Sequence, residues 1–189
     1  MLWSLATAAQ AHLVASGLGP VYDGILSVMF SPQCLALGAL GLYSGLQGPK
    51  HARCLCGALC IGWYGGNALA ATNLTPSTAC APSTALLLLL AGGLLAAKPR
   101  LSVITCAVGA AVLGLSSGLD PACRPVSASL MVLLGAGAAL FAVSALAASV
   151  TLPLKHPVLI IAARVVGSWV AASGLLQVGW LIHSGAMRS

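Results

Sequence analysis

Long apolar runs broken by short polar connectors set the pattern of this chain. Cys54 to Thr72, Ser83 to Ala97, Leu101 to Leu119 and Val126 to Leu154 hold no Asp, Glu, Lys or Arg. A helix needs about 20 predominantly apolar residues to cross the hydrocarbon core of a bilayer, so each run reads as a spanning helix. The run after Ser83 is short and the run after Val126 is long, a mismatch that tilt or local thinning of the bilayer absorbs. Two more spans are predicted. One is Pro32 to Gly48, entered through Ser31 as N-cap with Pro32 at the first helical position. The other is Val158 to about His183, which carries Arg164. The expected fold is all-α: a polytopic transmembrane helix bundle of about six spans, with a signal-like N-terminal segment and a short broken helix.

Composition agrees with a lipid solvent. Charged residues are 5% of the 189, against about 25% in soluble domains. The net charge is +6, yet the Lys and Arg residues are spread over connectors rather than gathered with aromatics, which argues for topology signals and against nucleic acid. Lys50 with Arg53, Lys98 with Arg100, and Lys155 fall in alternate connectors, while the intervening ones hold only Arg124. The connectors after residues 48, 98 and 152 are therefore expected in the cytoplasm of a cell with this protein in its inner membrane. Asn73 to Pro82 and Asp120 to Pro125 then lie outside. Asn73-Leu74-Thr75 is formally a glycosylation sequon, but Pro76 follows it.

Residues 1–11 read as the apolar part of a secretion signal, with Ala9-Gln10-Ala11 as the small-x-small cleavage pattern, although no Lys or Arg precedes the stretch. Cleavage leaves His12 first and residues 12–189 as a single transmembrane domain. The plainer alternative is an uncleaved helix from Leu2 to about Ser16.

Burying Leu against Leu gains little in lipid, so small residues must let helices touch. The chain has 22 Gly. Gly38, Gly41, Gly45 and Gly48 recur three or four apart, and Gly114-x3-Gly118 repeats the spacing. Packing within the chain is the expected use, ahead of a dimer seam.

The stretch from His12 to Pro32 carries the chemistry. On one unbroken helix, His12 and Asp23 would have backbones about 16 Å apart, too far to share an ion. Gly17, Gly19 and Pro20 supply a turn, after which Pro20 opens a helix with Tyr22 and Asp23 in its first turn. The helix dipole there favours an ionised carboxylate. Imidazole with carboxylate is part of a site for a divalent first-row metal such as Ni or Zn. The bland alternative is that Asp23 tends a helix end and His12 sits in interfacial solvent.

The run AHLVASGLGPVYDGILSVMFSP, residues 11–32, resembles the N-terminal signature of the HupE/UreJ family, membrane proteins associated with hydrogenase and urease gene clusters and regarded as nickel permeases or accessory proteins. His12, Tyr22, Asp23 and Gly24 stand where that family places its AHL and YDG elements, and Ser31-Pro32 continues the match. Beyond about Gly48 the likeness is one of hydropathy and length. The resemblance implies nickel, or a related divalent cation, as substrate, with His12 and Asp23 as metal ligands. It also implies urease or hydrogenase maturation proteins as partners. The family usually has a His four residues after the Asp; this chain has Ser27, a poor ligand for Ni.

Other residues invite weaker readings. Cys54, Cys56 and Cys60 lie at the cytoplasmic start of a helix, the last two on one face, and could donate thiolates to a soft ion, though free Cys is usually a small buried hydrophobe. Cys80 and Cys123, in different outward connectors, invite a disulfide in an oxidising periplasm. Arg164, about two turns into the last helix, is expected to snorkel towards cytoplasmic headgroups or else to face a polar path. His51 and His156 are expected in solvent, and Asn67 and Gln177 as hydrogen-bonding glue between helices. Asp120 and Arg124 anchor at the interface.

No nucleophile with a base, phosphate-cradling Gly loop or paired carboxylates are found, so an enzyme is not expected. The expectation is nickel uptake or delivery for metalloenzyme maturation, without a permanently bound cofactor. Alternatives are a non-transporting accessory or scaffold protein, and a transporter of a small solute past Arg164. Mass spectrometry of the mature protein is expected to find His12 as the first residue; an intact Met1 counts against a cleaved signal.

Overall fold

The computed structural model describes residues 18–72, 82–119, 129–153 and 157–186. They form helices α1 (Pro20–Met29), α2 (Gln33–Gln47), α3 (Pro49–Ala71), α4 (Pro82–Ala97), α5 (Val103–Leu119), α6 (Leu130–Thr151) and α7 (Pro157–Ala186), and no strand among the described residues. Pro49–Ala71, Leu130–Thr151 and Ile160–His183 are long and apolar enough to cross a membrane. Thr84–Ala97 and Val103–Leu119 are apolar but shorter, and α1 and α2, bent by 72° at their junction, are long and apolar enough only when taken together.

The bend has a local cause. Pro32 has no N–H to give to the carbonyl four residues back, and its ring would clash there. That carbonyl, Val28 O, instead accepts the Ser31 N–H at 3.2 Å and the Ser31 hydroxyl at 2.8 Å. Ser31 therefore completes the end of α1 and does not cap α2, contrary to the expectation from sequence. The α2 N-cap is Pro32, which has no side chain to accept a bond.

Boundaries move elsewhere too. The connector expected after residue 48 shrinks to Gly48 itself, whose φ of +119° and ψ of 171° suit glycine alone. Its N–H closes α2 on Ser44 O and Gly45 O, each at 3.2 Å, while its carbonyl takes the Ala52 N–H at 3.1 Å and starts α3. Lys50, His51 and Arg53 consequently lie inside the first turns of α3 rather than in a loop. The long apolar run after Val126 contains a 22-residue helix that starts later, where the Ser129 hydroxyl accepts the Val132 N–H.

Helices meet through glycine. Along α3 and α5, which run parallel, a side chain at Gly62 would strike the Ala111 backbone, and one at Gly66 the Leu115 and Gly118 backbones. In return Gly114 lies on Leu59 and Trp63, and Gly118 on Trp63 and Asn67. Gly114-x3-Gly118 thus packs inside the chain, as expected. On α2, Gly41 and Gly45 meet Ser144, Ala147, Ala148 and Thr151 of α6, but Gly38 has nothing within 4 Å. Antiparallel α4 and α7 touch at Gly92, Gly167 and Gly174, and Gly24 of α1 sits on Val132 and Ala136 of α6. Around these contacts lies a core of Leu37, Leu40, Tyr43, Leu59, Trp63, Leu88 and Leu140.

Gly114→Leu is expected to lower the unfolding midpoint in detergent by the equivalent of about 1–3 kcal/mol, because the opposing atoms are backbone and cannot move aside. In the same helix Gly109 faces open space, so Gly109→Ala is expected to be neutral or to stabilise by up to about 1 kcal/mol.

Candidate functional site

Two polar places stand out in the apolar bundle, one at each end. The first is the bent α1–α2 pair. Gly19, with φ +108°, precedes Pro20, and its carbonyl accepts the Asp23 N–H at 3.1 Å. Asp23 accordingly lies in the first turn of α1, as the Gly-Pro pattern predicts, and is half-buried. It is the one carboxylate among the described residues. Its neighbour Gly24 presses on the α6 backbone, so the carboxylate's helix is seated on the start of α6. One turn on, the Ser27 hydroxyl donates to Gly24 O at 2.7 Å. Its proton is committed to the helix backbone, and only lone pairs remain for any other partner.

His12 lies outside the described residues, so Asp23 is placed and its expected partner ligand is not. Among the described residues no three His, Cys, Asp or Glu gather where they could hold a metal ion. A site holding three such side chains around Asp23 would need at least one of them from outside the described residues. Cys54, Cys56 and Cys60 are free, respectively exposed, buried and half-buried. Cys80, Cys123, Asn73, Asp120, Arg124, Lys155 and His156 lie outside the described residues.

Past the break sits a residue that the sequence reading missed. Gln33, the first residue of α2, is only 3% exposed, and its Nε2 has no hydrogen-bond partner. Side chains on a helix lean towards its N-terminus, so this amide leans back to the break. A polar residue directly after Ser31-Pro32 in an apolar helix was the available signal.

The second polar place joins the basic connectors. Pro99 O accepts both the Tyr43 hydroxyl at 2.9 Å and Gln47 Nε2 at 2.6 Å, which uses both of its lone pairs. His51 Nε2 lies 3.1 Å from Leu101 O; since a carbonyl only accepts, that nitrogen carries the proton. Tyr43, Gln47 and His51 recur every four residues, a spacing that could have revealed the cluster. His51 is therefore half-buried and bonded, not solvated as expected. Lys98, with φ +49°, ends α4 by donating its N–H to Leu94 O at 2.9 Å. Arg164 Nε donates to Ala96 O at 2.7 Å, on the last turn of α4. With Thr151 Oγ1 donating to Leu42 O at 3.1 Å, these bonds gather the α2–α3 junction, the α4–α5 connector, the end of α6 and the start of α7 at one end of the bundle. Asn67 departs from expectation: its Nδ2 bonds Trp63 O of its own helix at 2.9 Å, not a neighbour.

No protein-family model, curated protein or solved structure matches the chain.

An unpaired buried amide donor costs about 1–3 kcal/mol. Gln33→Leu is accordingly expected to raise the unfolding midpoint, whereas an unchanged midpoint would mean that water already satisfies the amide.

Proposed function

We propose that this chain is a multi-pass inner-membrane protein that takes up or delivers a transition-metal cation, with nickel as the first candidate. In this reading the bent α1–α2 pair and α3 to α7 are six spans, and the end holding Lys50, Arg53, Lys98 and Arg100 faces the cytoplasm. Residues 1–11 are a signal, and His12 with Asp23 forms an outward-facing entry site. The resemblance of residues 11–32 to HupE/UreJ proteins supports nickel and a link to urease or hydrogenase maturation.

The observation that carries the reading is the position of Asp23. It stands in the first turn of a short helix, at the end of the bundle opposite the basic connectors, and that helix leads through a 72° break into α2. Interrupted helices place ends and polar groups at the midplane of many transporters, where backbone and side chains replace water around an ion. A hydrated dication must exchange its water ligands to enter lipid. A carboxylate at the mouth begins that exchange, and the break, with Gln33 beyond it, offers the next polar groups. Nothing in this scheme calls for catalysis.

A scaffold role is the second reading, favoured by the dense glycine packing and by the lack of a three-ligand group among the described residues. Nickel accumulation in cells separates the two. Asp23→Asn, at equal expression, is expected to reduce uptake to the background of cells lacking the protein. Uptake equal to wild type would remove Asp23 from the site, and no uptake by wild type would favour the scaffold.

A further inference from the structure

We infer that the α4–α7 face at the basic end holds the phosphate of an anionic phospholipid, gripped by Arg164, Lys98 and Arg100. The inference rests on the bundle lying in a bilayer and is independent of the cargo.

Arg164 is two turns inside α7, on a surface where Ile161 is 60% exposed and Val165 50%. A charge at that depth on a lipid-facing helix is costly unless it reaches polar partners. It has one: Nε bonds Ala96 O, a carbonyl that α4 leaves without an intrahelical partner. That bond orients the planar guanidinium but uses Nε alone. The remaining edge, formed by the two Nη groups, is the edge that receives two oxygens of a phosphate in parallel.

The backbone that carries the neighbouring cations is held too. Lys98 follows Ala96 by two residues and Arg100 by four, and Pro99 between them is fixed by the Tyr43 and Gln47 bonds. The connector thus presents its charges from a rigid backbone. Among the described residues no carboxylate opposes them: Asp23 belongs to α1, which packs at Val132 and Ala136, whereas this end of α6 is Thr151. Nineteen helical residues separate Val132 from Thr151, about 28 Å. The α4 dipole steadies the cations but leaves most of their charge unmatched.

The occupant is set by what surrounds the charges. A free phosphate would fit the guanidinium and leave Ile161 and Val165 bare, whereas a phospholipid covers both with one molecule. A zwitterionic lipid brings its own ammonium into a cluster of three cations. A phosphatidylglycerol-type headgroup does not.

The test uses the full-length protein in mild detergent, with the unfolding midpoint followed as phosphatidylglycerol, phosphatidylcholine or inorganic phosphate is added. Phosphatidylglycerol alone is expected to give a saturable upward shift and to stay bound in native mass spectrometry. Arg164→Gln, and separately Lys98→Gln with Arg100→Gln, should lose the shift and the retained lipid. Lys50→Gln with Arg53→Gln, which also removes two charges, should keep both. The connector pair keeps the test decisive if Arg164→Gln fails to fold. An equal shift with phosphatidylcholine, a shift with phosphate alone, an undiminished shift in the connector pair, or equal loss in the Lys50/Arg53 control would each overturn the inference.

Discussion

Hydrocarbon on the outside of a helix removes the usual reason for helices to associate, because a leucine is as comfortable against lipid as against another leucine. What remains is contact close enough for dispersion between backbones, and this chain obtains it by withholding side chains where helices cross. Gly62 and Gly66 of α3 meet Gly114 and Gly118 of α5 in reciprocal fashion. The same device joins α4 to α7 and seats α1 and α2 on α6. Large residues such as Trp63, Tyr43 and Leu140 fill the space between these seams.

The second constraint is that no backbone polar group can be left bare in lipid. Helix interruptions among the described residues answer it with particular residues. At the α1–α2 break Ser31 supplies both N–H and hydroxyl to the carbonyl that Pro32 cannot serve. At the α4 end, Lys98 closes the last turn and Arg164 reaches from another helix to Ala96 O. The same economy makes Pro99 O the meeting point of Tyr43 and Gln47. Satisfying the backbone thus gathers polar groups of the described connectors at one end, while Asp23 and the unpaired amide of Gln33 lie on the bent α1–α2 pair.

The two places are bonded differently. At the basic end Tyr43, Gln47, His51 and Arg164 hold the backbone of the connector and of the end of α4. The α1–α2 pair carries a carboxylate in its first turn and a buried amide behind its bend.

Much of this was legible along the chain. The uncharged runs announced the helices, the Gly-Pro step put Asp23 in a first turn, and Gly114-x3-Gly118 declared a close contact, because each depends only on local backbone geometry and on the spacing of side chains along one helix. What local spacing does not contain is the register between helices. It could not say that Arg164 would find Ala96, that Ser31 would turn backwards, that His51 would bond Leu101, or that Gly62 and Gly66 would oppose Gly114 and Gly118. Those pairings join residues that are distant in sequence, and only the packing of whole helices, which decides which faces meet and at what height, brings them together.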